Sequence, residues 1–167
     1  GMITVDSGPE GSCFTVLIPE TERPVPDAKA DEVEIPQGSE SILVVDDEKD
    51  IRETSRMMLT QLGYRVTVCE DPLQALAMIR EDKGRFDLVI SDQTMPALTG
   101  TELLARVRSM HPEVVRMVLS GYTGLDSLTE AINRGEIFKF LTKPWEDDEL
   151  LETIRAAFRQ YAEGHKR

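Results

Sequence analysis

SILVVDD, residues 41–47, decides the fold: a short apolar run that stops abruptly at two carboxylates. It is too short for a helix and reads as a buried strand. Two further runs repeat the design. DLVISD (87–92) ends on Asp92, and FKFLTKP (138–144) carries Lys143 just before its proline. Three carboxylates and one ammonium, each following a buried strand, converge only if those strands are parallel neighbours.

Outward from these runs, short apolar segments alternate with amphipathic ones from residue 40 onward. Strands are expected near 41–45, 65–69, 86–91, 115–120 and 137–142, and helices near 49–62, 72–81, 100–109, 125–134 and 147–162. Asp71 before Pro72 reads as an N-cap with proline in the first turn, and Gly63 as the stop of the first helix. Leu150, Leu151, Ile154, Phe158 and Tyr161 form one stripe, so the last helix packs on a sheet. Five strands alternating with five helices predict an α/β fold, a doubly wound five-stranded parallel sheet. RVTVC (65–69) is the most polar strand and belongs at an edge. The expected order is 2-1-3-4-5, flavodoxin-like, whose topological switch lies between the first and third strands. Ligands of such sheets bind there, beyond the carboxyl ends, where Asp46, Asp47 and Asp92 fall.

The remainder is different in kind. Residues 2–19 read as a β-hairpin, ITVDS and SCFTVLIP around the turn-forming GPEG. Residues 20–39 hold Pro24, Pro26, Pro36 and many acids, the composition of an extended linker. The whole chain carries 31 acids against 19 bases, a formal charge of −12. That balance argues against nucleic acid and anionic membrane as direct partners. No apolar run approaches a membrane span. Cys13 and Cys69 lack paired spacing and a neighbouring histidine, so they suggest neither a metal cluster nor a disulfide framework but a reducing, cytoplasmic setting.

Clustered carboxylates at a loop rim suit Mg²⁺, which takes oxygen ligands and relieves their mutual repulsion. One carboxylate can then attack a phosphoryl group to give an acyl phosphate. Metal and ammonium stabilise the charge on the transferred oxygens. Lys143 supplies the ammonium, and Ser120, ending the fourth strand of the alternating run, a hydroxyl. A single Asp at a strand end is ordinarily a cap or turn former. Groups of this kind at the ends of four different strands form a more specific pattern.

With SILVVDDE, DLVISDQTMPALTG, VLSGY and FLTKPW in place, residues 40–162 resemble the receiver domain of two-component response regulators. The resemblance implies that Asp92 is the phosphoacceptor and that Mg²⁺ or Mn²⁺ is held by Asp46, Asp47, Asp92 and the backbone carbonyl of Thr94. Asp47 would bind the metal directly and Asp46 mainly through a metal-bound water. Ser120 and Lys143 would contact the phosphoryl oxygens. Phe140 stands at the family's switch aromatic, turning inward as the Ser120 hydroxyl moves toward phosphate. Lacking a hydroxyl, it can switch only by packing. Thr94 and Tyr122, two positions after Asp92 and Ser120, lie near the path of attacking water, and slow loss of phosphate is expected. In the 93–100 loop, Pro96 and Gly100 shape the path and Met95 packs inward.

Residues 2–19 resemble the last hairpin of the histidine-kinase ATPase domain. The chain is therefore expected to come from the C-terminal part of a hybrid histidine kinase, its donor a histidine kinase or histidine phosphotransfer protein. No glycine-rich nucleotide loop is present, and His111 and His165 lie outside any phosphorylatable-histidine context. ATP binding and self-phosphorylation are not expected, and the chain is read as a phosphoacceptor rather than an enzyme. An isolated hairpin is marginal in water, so docking on the receiver or pairing with another chain is expected. The face made by the fourth helix, fifth strand and fifth helix is a second candidate for a homodimer contact. Two other functions fit parts of the pattern. One is a Mg²⁺-dependent phosphatase with an aspartyl-phosphate intermediate, disfavoured because Thr94 replaces the second acid such enzymes need. The other is an interaction module that never uses phosphate.

Overall fold

Strand β3 (Ser41–Val45) runs through the interior, with Ile42 to Val45 all at 1% exposure or less. A computed structural model describes residues 2–8, 11–17, 38–81, 85–121 and 125–164. The chain divides into two units, Gly1–Glu34 and Ile35–Arg167.

In the first unit, β1 (Met2–Gly8) and β2 (Gly11–Leu17) pair antiparallel from Met2↔Leu17 to Gly8↔Gly11. Val5 and Val16 are both more than half exposed. Of the linker expected at 20–39, residues 20–37 lie outside the described residues.

The second unit runs β3, α1 (Lys49–Gln61), β4 (Arg65–Cys69), α2 (Pro72–Glu81), β5 (Leu88–Asp92), α3 (Gly100–Met110), β6 (Val115–Ser120), α4 (Leu125–Asn133), β7 (Lys139–Thr142) and α5 (Asp147–Gly164). All neighbours are parallel, in the order β4-β3-β5-β6-β7. This is the expected 2-1-3-4-5 sheet, with the polar RVTVC strand at an edge. The chain steps outward from β3 to β4 and then back across to β5, which opens the crevice at the switch point.

Alternation along the strands divides the core in two. Leu43, Val45, Val89 and Val118 face α2, α3 and α4 through Ala75, Leu76, Ile79, Leu103, Leu104, Val107, Leu128 and Ala131. Ile42, Val44, Leu88, Ile90, Met117 and Leu119 face α1 and α5 through Leu59, Leu150, Ile154 and Ala157. Both faces of the sheet are covered, which is why its central strands are near-continuously apolar. Leu151 and Phe158 join the second cluster at its margin; the Tyr161 side chain lies outside the described residues.

Local signals act as their chemistry dictates. Asp71 Oδ1 accepts the Leu73 amide at 2.8 Å. Gly63 follows α1 at φ 89°, a conformation L side chains avoid. Two strands begin later than expected, β5 at Leu88 and β7 at Lys139. Asp87 instead uses its amide on the Ser41 carbonyl and its carboxylate on the Ser41 amide, locking the sheet's lower rim.

Candidate functional site

Parallel register brings the acids together. Val45 is opposite Ser91, so the residues that follow, Asp46 and Asp92, emerge side by side. Ser120 is opposite Thr142, and the Lys143 amide donates to the Ser120 carbonyl at 2.7 Å. Lys143 is thereby aimed at the mouth of β3 and β5. Its ammonium lies 2.8 Å from Asp46 Oδ2 and 2.9 Å from Asp92 Oδ1. Glu48 Oε1 stands further out, at 3.7 Å.

Asp46 and Asp92 are 1% and 5% exposed; Asp47 is exposed. One carboxylate oxygen from each of the three can lie within 4.8 Å of the others. Hard oxygen donors in that compass fit a small divalent cation. Of the remaining carboxylate oxygens' partners, Asp46 Oδ1 accepts the Glu48 amide at 2.8 Å and Asp92 Oδ2 the Thr94 amide at 3.1 Å.

Burial and charge act together on the proton affinities of Asp92 and Lys143. Burial pushes the Asp92 carboxyl above the ordinary carboxylate range; Lys143 and the Thr94 amide pull against it, while the Asp46 charge adds to it. Burial alone would lower Lys143, but its bonds to Asp46 and Asp92, and their charges, outweigh burial and hold it above its ordinary value. The ammonium is therefore a firm fixture.

Ser120 is buried, and its hydroxyl donates to the Gly121 carbonyl at 2.8 Å. Phe140 sits half-buried, packed against the core cluster under α2, α3 and α4. Thr94 is exposed beside the acids; Tyr122 lies outside the described residues. Met95 is buried, as its place in the loop suggested. Thr99 and Glu102 form a reciprocal capping box at the start of α3.

Several residues that shape the site were not singled out by sequence reasoning. Arg52, on α1, donates to the carbonyls of Asp46 and Asp47 and to Glu70. Gln93 clamps the first turn of α3: its Oε1 accepts the Thr101 amide and its Nε2 donates to Thr101 Oγ1. Glu48 and Trp145 join Lys143 in lining a cleft of 490 Å³ beside the acids. Arg52 and Gln93 each adjoin the acidic motif by one helical turn or one residue, and that proximity was the available signal.

A five-stranded parallel sheet with an Asp-Asp pair, a strand-end Asp and a strand-end Lys at its switch point defines a signalling receiver. The response regulator receiver domain family matches residues 42–155, and the chain belongs to that family. It is thus a receiver of two-component signal transduction. The hydrogenase transcriptional regulatory protein HoxA of Cupriavidus necator is 36% identical over 117 residues, covering 70% of this chain and 24% of its own length. The sensor kinase CckA of Brucella abortus is 29% identical over 158 residues, covering 87% of this chain and 16% of the kinase. The chain therefore spans a quarter or less of these two curated relatives. The signal receiver domain of an HD domain-containing protein from Pseudomonas fluorescens Pf-5 superposes with a TM-score of 0.70 at 35% identity, covering 77% of this chain and 93% of that one. Among the described residues, no helix is long and apolar enough to cross a membrane.

Proposed function

We propose that Asp92 accepts a phosphoryl group from the phosphohistidine of a histidine kinase or histidine phosphotransfer protein. The observation that carries this reading is the Lys143 ammonium placed within 3 Å of both Asp46 and Asp92. An Asp92 oxygen forms the new O–P bond as the donor's N–P bond breaks, and the imidazole nitrogen keeps the electron pair. Lys143 meets charge on the transferred oxygens. Asp46, Asp47, Asp92 and the Thr94 carbonyl would hold Mg²⁺ or Mn²⁺, which supplies further neutralisation of that charge. The Ser120 hydroxyl exchanges the Gly121 carbonyl for a phosphoryl oxygen, and Phe140 repacks into the space released.

The chain acts as an acceptor rather than a turnover catalyst. Thr94 carries no carboxyl to serve as the general acid or base that aspartyl-phosphate phosphatases use at that position. Its origin in a hybrid histidine kinase is supported by the CckA alignment, whose share of this chain exceeds what residues 40–162 provide and so includes residues before them. The hairpin then belongs to the kinase's ATPase sheet, and residues 20–39 link it to the receiver at 40–162. The receiver works in the cytoplasm. The longer gene product should carry a phosphorylatable histidine and nucleotide loops ahead of Met2; a gene without them contradicts this origin.

Beryllofluoride, a mimic of the aspartyl phosphate, tests the site. With Mg²⁺ it should change the fluorescence of Trp145, the only tryptophan in the chain. No Mg²⁺-dependent change would favour an interaction module that does not use phosphate.

A further inference from the structure

Arg52 is the one residue whose side chain bonds to the backbone of both acids of the Asp-Asp pair among the described residues. Nη1 donates to the Asp46 carbonyl at 2.8 Å and to the Asp47 carbonyl at 3.0 Å. Nη2 donates to Glu70 Oε2 at 3.2 Å, on the segment that leaves β4. The Arg52 side chain is 11% exposed, whereas Glu70 is 70% exposed. Two consecutive carbonyls reach a single nitrogen only when the peptide between them is turned, and that turn sets where the Asp46 and Asp47 side chains leave the backbone. Asp46 is held by further bonds: its amide donates to the Cys69 carbonyl, its Oδ1 accepts the Glu48 amide and its Oδ2 the Lys143 ammonium. Asp47, the exposed carboxylate of the cluster, is reached through Arg52.

We propose that Arg52 is a positioning residue: it holds the Asp46–Asp47 turn in the conformation that presents both carboxylates to a divalent cation, with Glu70 as its outer anchor. The inference rests on the reading of this cluster as a Mg²⁺ site. A planar guanidinium suits the task because its fork spans two carbonyls and a carboxylate at fixed angles, which a single ammonium does not.

Charge and position predict opposite signs. Through charge alone, a cation beside a metal site repels the metal, and its removal would tighten binding. If Arg52 acts by position, its removal loosens binding. Mg²⁺ titration of the purified chain, followed by Trp145 fluorescence and by calorimetry, reads the sign directly. Arg52→Ala should weaken Mg²⁺ binding about tenfold, the low end for residues that orient metal ligands. Arg52→Lys should weaken it as well, and it keeps the test alive if the alanine variant fails to fold. Glu70→Ala, which leaves both carbonyl bonds intact, should have the smallest effect. Unchanged or tighter binding by Arg52→Ala, or wild-type affinity in Arg52→Lys, overturns the inference while leaving the Mg²⁺ site standing. A wild-type chain that binds no Mg²⁺ overturns the site and the inference together.

Discussion

A Cβ placed on Gly100 would lie 2.3 Å from the carbonyl oxygen of Asp92. The first turn of α3 is pressed against the backbone of Asp92 itself, and the Gly100 amide donates to the neighbouring Gln93 carbonyl at 3.0 Å. The atom in the way is backbone and cannot rotate aside. Gly100→Ala should therefore lower stability by about 1–3 kcal/mol, the range for overpacking a filled site. Urea unfolding measures it, and a change near zero would mean that α3 is free to back away.

Ala97 has the opposite problem. Its φ of 71° lies in the left-handed region, which an L side chain occupies at a cost of roughly 1–2 kcal/mol. Ala97→Gly relieves that cost but frees the unfolded chain, leaving a net gain of about 0.5–1 kcal/mol. A higher urea midpoint with an unchanged slope is the expected result; a lower midpoint contradicts the strained conformation.

Asp92 should cost stability at neutral pH. Its carboxyl is held above the ordinary range, chiefly by burial. A group harder to ionise when folded than when unfolded destabilises the fold wherever it is ionised. It costs nothing below the unfolded value of about 3.9. Asp92→Asn should raise the unfolding midpoint at neutral pH, and the gain should fade as pH falls through the carboxylate range. A gain that persists undiminished in acid would point to packing, not charge.

Lys143→Ala should act in the other direction. It strips two buried carboxylates of their ammonium, and removing one partner of a buried ion pair costs about 3–5 kcal/mol. Mg²⁺ held by these acids would replace part of the missing positive charge, so it should raise the melting temperature of the variant more than that of the wild type. Equal shifts would show that Lys143 does not neutralise the acids the metal meets.

The sheet was legible because burial leaves a coarse mark. ILVV, LVIS and MVLS are apolar on both faces, and the polar RVTVC declares an edge. The acids and Lys143 were legible as strand-end residues because polar groups there interrupt a buried run. Their support was harder to see. Arg52 lies among Asp50, Glu53 and Arg56, a pattern that reads as a solvated helix face, and only the turn of the β3–α1 loop brings the acids' carbonyls over it. The left-handed Ala97 carries no glycine or asparagine to announce it. Gly100 was read as shaping the path from the loop into the third helix, whereas its close approach to Asp92 depends on the packing of α3. The starts of β5 and β7 slipped because Asp87 and Phe138 bond to adjacent strands just ahead of the regular ladder.

The central claim is that Asp92 receives phosphate. Incubating the chain with acetyl phosphate and Mg²⁺ and measuring its intact mass tests it most directly. The wild type should gain one phosphoryl group, labile to hydroxylamine as an acyl phosphate is, and Asp92→Asn should gain none. Stoichiometric labelling that persists in Asp92→Asn would contradict the account.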